Sequence, residues 1–128
     1  MTRKRIYRLG DLQLQIMKVL WASGPATVAE VQEKLEGEPL AYTTVATMLR
    51  KMEDRQLVGH RQEGRRFVYE ALVSSDEVSR GMAGDMVDRL FAGSLADAVS
   101  HLLETREVSR GELARLEQLI AEHKKRRP

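Results

Sequence analysis

The 128-residue sequence contains no cysteine. This absence excludes disulfide bonds, thiolate metal sites and cysteine nucleophiles. The sequence also lacks any run of about 18 apolar residues, the length that a membrane-spanning helix requires, so we expect no membrane insertion. Residues 1–8 are basic but carry no apolar stretch of the kind found in secretory signals, which indicates a cytoplasmic protein.

Residues that usually carry catalysis or bind metals are either absent or badly spaced. The three histidines, His60, His101 and His123, share no metal-binding spacing with one another or with carboxylates. The sequence has no nucleophile elbow, no phosphate-binding loop and no Gly-rich dinucleotide fingerprint. We therefore expect no metal, no cofactor and no enzymatic activity.

The first part of the sequence has the apolar spacing, capping residues and turn residues typical of three helices. Apolar spacing predicts a helix from Asp11 to about Ala22, with Asp11 as its N-cap. Thr27 followed by Glu30 forms a capping box that opens a second helix. A third helix is predicted to begin within residues 41–43, after a turn.

The third helix has two faces of different chemistry. Val45, Leu49 and Met52 recur at helical spacing and form an apolar stripe. The other side carries hydroxyl and basic side chains, namely Thr43, Thr44, Thr47, Arg50 and Lys51. Short hydroxyls early in a helix can read base edges, and Arg and Lys further along can hold phosphates. Tyr42 could lie in the core, cap the helix or lie close to DNA, and we favour a position close to DNA.

Residues 57–72 read as a two-stranded hairpin with a basic tip that contains Gly64, Arg65 and Arg66. At such a tip, we expect the two arginines to contact phosphates or the minor groove. A polar-faced helix followed by a basic hairpin is the pattern of a winged helix-turn-helix, which predicts DNA binding. Without the hairpin, the threonine face would fit a solvated helix surface equally well.

The sequence changes character after Val73, so we predict a winged-helix domain over residues 1–73 and a helical domain over residues 74–128. Residues 1–73 carry 12 lysines and arginines against 9 acidic residues, whereas residues 74–123 carry 5 against 10. This division favours a phosphate-facing first half and a second half turned away from DNA. We interpret the basic run Lys124–Arg127 as a solvated chain end.

The second half is predicted to contain three helices, from about Asp76 to Phe91, from about Leu95 to Glu104, and from Ser109 into a frayed basic tail. About fifty residues of helix cannot easily bury their own apolar side chains, whereas a two-fold dimer could. Such a dimer would also place two recognition helices in successive major grooves. The residues assigned to the dimer interface are Val87, Leu90, Phe91, Leu95, Val99, Leu102, Leu103, Leu116, Leu119 and Ile120.

Several segments of the sequence resemble the BlaI/MecI penicillinase-repressor family. They are Leu9–Trp21, Gly24–Val31 and, most sharply, Leu40-Ala41-Tyr42-Thr43-Thr44-Val45. The resemblance extends over residues 7–122. It implies a homodimeric winged-helix repressor that binds double-stranded operator DNA at inverted repeats of the TACA…TGTA type. It also implies recognition positions at Tyr42, Thr43, Thr44, Thr47, Arg50 and Lys51, a wing over residues 62–66 and a dimerisation domain over residues 74–122.

Two departures from the family concern the inducing signal. The copper-responsive branch carries a C-terminal cysteine cluster, so copper sensing of that type is excluded here. The β-lactam branch is released when a membrane sensor metalloprotease cuts an Asn-Phe bond. The roughly aligned position in this sequence reads His101-Leu102, which departs from that specificity.

Two alternatives to the repressor hypothesis remain open from the sequence. One is a winged-helix protein–protein interaction module, in which the threonine face would bind a partner protein instead of DNA. The other is a ligand-sensing regulator, which would differ from the repressor only in its signal.

Overall fold

A computed structural model describes residues 6–127, so the basic residues 1–5 and Pro128 lie outside the described part of the chain. The elements in chain order are α1 (Asp11–Ser23), β1 (Ala26–Thr27), α2 (Val28–Lys34), α3 (Tyr42–Asp54), β2 (Val58–Glu63), β3 (Arg66–Ala71), α4 (Ser75–Leu90), α5 (Leu95–Thr105) and α6 (Arg110–Arg126). The predicted class, mainly α with a small hairpin, is therefore confirmed.

The three strands form one antiparallel sheet in the order β1-β3-β2. The predicted hairpin is β2 and β3, which pair from Val58 opposite Ala71 to Glu63 opposite Arg66. Gly64, at φ 64°, opens the two-residue turn that joins them, as a type II′ turn requires. The short strand β1 was not predicted, because two residues are too few to show alternation.

The core of the first part of the chain lies between α1, α2, α3 and the sheet. Ile16, Met17, Val31, Val45 and Leu49 are all completely buried there. The indole nitrogen of Trp21 donates a hydrogen bond to the backbone oxygen of Val73 at 2.9 Å. This bond ties α1 to the segment that follows the hairpin.

Local hydrogen bonds set the helix starts. Thr27 Oγ1 accepts from the backbone of Glu30 at 3.2 Å, and the Glu30 carboxylate accepts from the backbone of Thr27 at 2.9 Å, so the capping box is confirmed. The prediction that Asp11 caps α1 was wrong. Gly10 is the N-cap, and its backbone N–H donates to the side chain of Gln13 at 3.2 Å, which leaves Asp11 inside the first turn.

The chain folds into two compact units, Met1–Asp85 and Met86–Pro128, so the division falls within α4. The first turns of α4 belong to the first unit because Val78 is buried in its core and Met82 packs against it. The guanidinium of Arg8 also lies 3.4 Å from the carboxylate of Asp85. A functional boundary at residues 73 and 74 stays a prediction.

The second unit contains the end of α4 together with α5 and α6. Ser94 and Ser109 cap α5 and α6 by accepting from the backbone of Asp97 and Glu112, each at 3.1 Å. The expectation that the last helix frays into the basic tail was wrong, since α6 continues to Arg126. Cationic side chains in a last turn stabilise the negative end of the helix dipole, which favours this extension.

Candidate nucleic-acid interface

The apolar stripe on α3 fixes which side of this helix meets solvent. Val45, Leu49 and Met52 are completely buried against the rest of the first unit. The residues on the remaining surface are exposed, namely Tyr42, Thr43, Thr44, Thr47, Arg50 and Lys51. The stripe seen in the sequence thus orients the hydroxyl and basic side chains outward.

The start of α3 is held by its connection to α2. The side-chain amide of Gln32 donates to the backbone oxygen of Leu40 at 2.8 Å, which fixes the loop between the two helices. Ala41 is the N-cap residue, and Tyr42 is the first residue of the helix with 53% of its surface exposed. Tyr42 is therefore neither a core residue nor the cap.

The hairpin presents different side chains on its two faces. His60 pairs with Tyr69 and Gln62 with Phe67, so these four share one face. On the other face the Arg61 guanidinium lies 2.5 Å from Glu63 and 3.9 Å from Glu70. The hydrogen bond that Arg61 donates to Glu63 raises the pKa of the guanidinium above its ordinary value.

A groove of about 440 Å³ lies between α3, the start of α2 and the hairpin. It is lined by Thr27, Val28, Ala29, Tyr42, Ala46, Arg50, Arg65, Arg66, Phe67 and Tyr69. The fold thus brings together four of the predicted site residues, from α3 and from the hairpin tip. The predicted residues Thr43, Thr44, Thr47 and Lys51 do not line this groove.

The groove is basic and partly aromatic. Burial raises the pKa of the Tyr69 hydroxyl, and the nearby Glu53 carboxylate raises it further, so Tyr69 stays neutral. Arg50 approaches Thr47 one turn earlier, with 3.5 Å between its guanidinium and the threonine hydroxyl. Such a surface can hold a polyanion through guanidinium groups while aromatic rings contact its apolar parts.

The sequence analysis did not assign the other six groove residues to the site, namely Thr27, Val28, Ala29, Ala46, Phe67 and Tyr69. Strand alternation in β3 could have placed Phe67 and Tyr69 on a common face. It could not show that this face borders α3, because that depends on how the hairpin packs. Thr27 was assigned only a capping role.

Within residues 6–127 no group of three His, Asp or Glu side chains could hold a metal ion. Over the same residues, no helix is both long and apolar enough to cross a membrane.

The chain has the arrangement of a winged-helix protein, because α3 packs on the core through its apolar stripe and lies beside a hairpin that carries arginines. The penicillinase repressor family matches residues 9–122, and the chain belongs to that family. The members of this family are transcriptional repressors and not enzymes, so the repressor hypothesis is supported over the protein–protein module.

Two curated relatives illustrate the relationship. The penicillinase repressor of Bacillus licheniformis is 29% identical over 125 residues, which are 97% of this chain and 98% of the relative. The transcriptional regulator BlaI of Mycobacterium tuberculosis is 37% identical over 106 residues, which are 78% of this chain and 75% of the relative.

A solved structure supports the fold of the first part of the chain. The solution structure of the DNA binding domain of the repressor BlaI is 29% identical, with a TM-score of 0.50. The match covers 59% of this chain and 93% of that domain. The fold class is therefore shared with a domain named for DNA binding.

Proposed function

We propose that this repressor binds an inverted-repeat operator as a homodimer, with one winged-helix unit on each half-site. The observation that carries the proposal is the basic groove, in which Tyr42 and Arg50 of α3 face Arg65 and Arg66 of the hairpin. Arginines from two separate elements that converge on one open groove suit the phosphate backbone of a duplex. By family resemblance, the operator is of the TACA…TGTA type.

Within each half-site, α3 would enter the major groove with its exposed face toward the bases. Thr43, Thr44 and Thr47 are exposed and carry a hydroxyl and a methyl group, so they suit base edges and thymine methyls. The four exposed cations that would neutralise phosphates are Arg50, Lys51, Arg65 and Arg66.

The homodimer is supported by the apolar surface of the second unit. Leu90 and Leu95 are 71% and 67% exposed in the single chain. Leu102, Leu103, Leu119 and Ile120 are exposed as well, whereas Val87, Phe91, Val99 and Leu116 are half-buried. Exposure of so many large apolar side chains to water is unfavourable for a monomer. A second copy of the chain, related by a two-fold axis, would cover them.

Release of the operator would follow from any event that loosens the dimer, since each winged-helix unit alone binds weakly. Proteolysis within residues 95–105 by a membrane sensor metalloprotease is the route that the resemblance suggests. The bond between His101 and Leu102 lies inside α5, and the His101 backbone oxygen accepts from the Thr105 hydroxyl at 2.9 Å. Cleavage would therefore need local unwinding of α5. We place these events in the cytoplasm, where operator DNA resides.

The first experiment is a fluorescence-anisotropy titration of the purified full-length chain. One probe is a palindromic TACA…TGTA duplex and the other a scrambled duplex, both at about 150 mM salt. We expect roughly thousandfold preference for the palindrome, with two subunits on each duplex. Equal weak binding to both duplexes would refute this operator assignment, and one subunit per duplex would refute the dimer.

A further inference from the structure

His60 on β2 and Glu53 on α3 form a contact that links the hairpin to the recognition helix. The Nδ1 atom of His60 lies 2.7 Å from both carboxylate oxygens of Glu53. The two side chains are 33% and 30% exposed, so solvent only partly screens the pair. This contact joins α3 to the hairpin, the two elements whose arginines line the basic groove.

Aromatic packing holds the His60 imidazole in place on its other sides. Its ring centroid lies 4.6 Å from that of Phe67 and 5.4 Å from that of Tyr69, both in tilted geometry. Phe67 and Tyr69 line the groove beside Arg50, Arg65 and Arg66. The imidazole is thus wedged between a carboxylate on α3 and two rings on β3, which limits how far the hairpin can move from the helix.

We propose that His60 is a positioning residue, which acts through Glu53 to hold the hairpin arginines at a set distance from the recognition helix. The inference rests on the DNA-binding role proposed above. Preorganisation of this kind lowers the entropy lost when Arg50, Arg65 and Arg66 engage one duplex together.

The negative charge of Glu53 should weaken DNA binding, whereas its proposed role in holding His60 should strengthen it. The two effects therefore predict opposite results when Glu53 is removed. A carboxylate beside a phosphate-binding surface repels DNA, so its removal should strengthen binding if charge alone matters. If Glu53 acts by holding His60, its removal should weaken binding instead. Glu70 is the matched control, because it lies on the opposite face of the hairpin and pairs with Arg61 at 3.9 Å.

The test measures operator affinity for Glu53→Ala, His60→Ala, the double variant, Glu53→Gln and Glu70→Gln in the full-length chain. We expect each alanine variant to bind about tenfold more weakly and the double variant no more weakly than either, as for residues that act as a unit. Glu53→Gln should restore most of the affinity, because its amide oxygen accepts from the imidazole. Glu70→Gln should bind no more weakly than the native chain.

Two outcomes would overturn the inference while leaving the repressor function intact. One is tighter or unchanged operator binding by Glu53→Ala. The other is weaker binding by His60→Ala alone with a shallower salt dependence, since that pattern marks a direct phosphate contact.

A measurement without DNA separates this inference from the proposed function. In free Glu53→Ala protein, backbone amides of β2 and β3 should exchange hydrogen about tenfold faster while those of α1 keep their protection. Unchanged exchange in the hairpin would overturn the inference even if no operator were bound. Failure of the native chain to distinguish the two duplexes would instead refute only the operator assignment.

Discussion

The ring of Tyr7 packs against the backbone of Gly81 so closely that no side chain fits between them. A Cβ atom at position 81 would lie 2.5 Å from Cδ2 of Tyr7. The Tyr7 hydroxyl also donates a hydrogen bond to the carboxylate of Glu77, one turn earlier on α4. Tyr7 is buried, so this contact fixes the N-terminal segment to the first turns of α4.

Gly81→Ala is expected to destabilise the chain by about 1–3 kcal/mol, because the Tyr7 ring must move to admit a methyl group. Gly84→Ala is the matched control on the same helix, since nothing lies within 4 Å of a Cβ there. Alanine at position 84 should raise stability by up to about 1 kcal/mol through helix propensity. Urea unfolding at one fixed protein concentration measures both, and equal stabilisation would contradict the Tyr7 contact.

Gln56→Gly is expected to stabilise the chain by about 1 kcal/mol, because Gln56 adopts φ 62° at the end of α3. Its N–H donates to Glu53 at 2.9 Å and the N–H of Leu57 donates to Met52 at 3.0 Å, as in a Schellman motif. Gln15→Gly, at an exposed site inside α1, should instead cost about 1 kcal/mol. A loss of stability at both positions would show that the left-handed residue is not strained.

The capping box predicts a pH-dependent contribution from Glu30. Hydrogen bonds from the backbone and then the side chain of Thr27 hold the pKa of Glu30 below its ordinary value. A carboxylate whose pKa is lower in the folded chain than in the unfolded chain stabilises the fold at pH values above the unfolded pKa, which is about 4.3. This stabilisation is lost as the pH falls through the pKa of the folded chain. The melting temperature of the native chain should therefore exceed that of Glu30→Gln at pH 7, with the difference closing in acid. A difference independent of pH would contradict the assignment.

Arg50→Ala is expected to weaken operator binding and to make its salt dependence shallower by roughly one unit for each lost phosphate contact per half-site. Anisotropy titrations at several salt concentrations give the slope. Arg80→Ala is the control, since Arg80 is an exposed arginine of α4 that pairs with Asp76 at 2.8 Å. An unchanged slope in Arg50→Ala would remove Arg50 from the phosphate-binding set.

Leu95→Asp is expected to dissociate the dimer without unfolding the chain. Leu95 is the first residue of α5, where a carboxylate suits the helix dipole, yet burial at an interface would leave that charge unpaired. Sedimentation should show at least about a tenfold weaker dimer, and operator affinity should fall with it. Leu72→Asp, at an exposed leucine of the first unit, should leave the dimer intact. Equal dimerisation by Leu95→Asp and the native chain would exclude Leu95 from the interface.

Several features of the interface could be predicted because they depend on residues close together in sequence. The stripe of Val45, Leu49 and Met52 oriented α3 correctly, since helical periodicity alone decides which residues share a face. The cap by Thr27 and Glu30 was predicted for the same reason. The cap of α1 was misassigned because Gly10 satisfies it through its backbone and Gln13, which residue type alone does not reveal.

Residue spacing and short motifs were enough to predict the first three helices, the basic hairpin and the repressor family, because these features depend on residues close together in sequence. The pairing of β1 with β3, the position of Phe67 and Tyr69 beside α3, and the contact between His60 and Glu53 emerge only when the elements pack together. The hydrogen bond between Tyr7 and Glu77 joins residues that are 70 positions apart in the sequence. Contacts of that kind depend on how whole elements pack, and local periodicity carries no information about packing between distant segments.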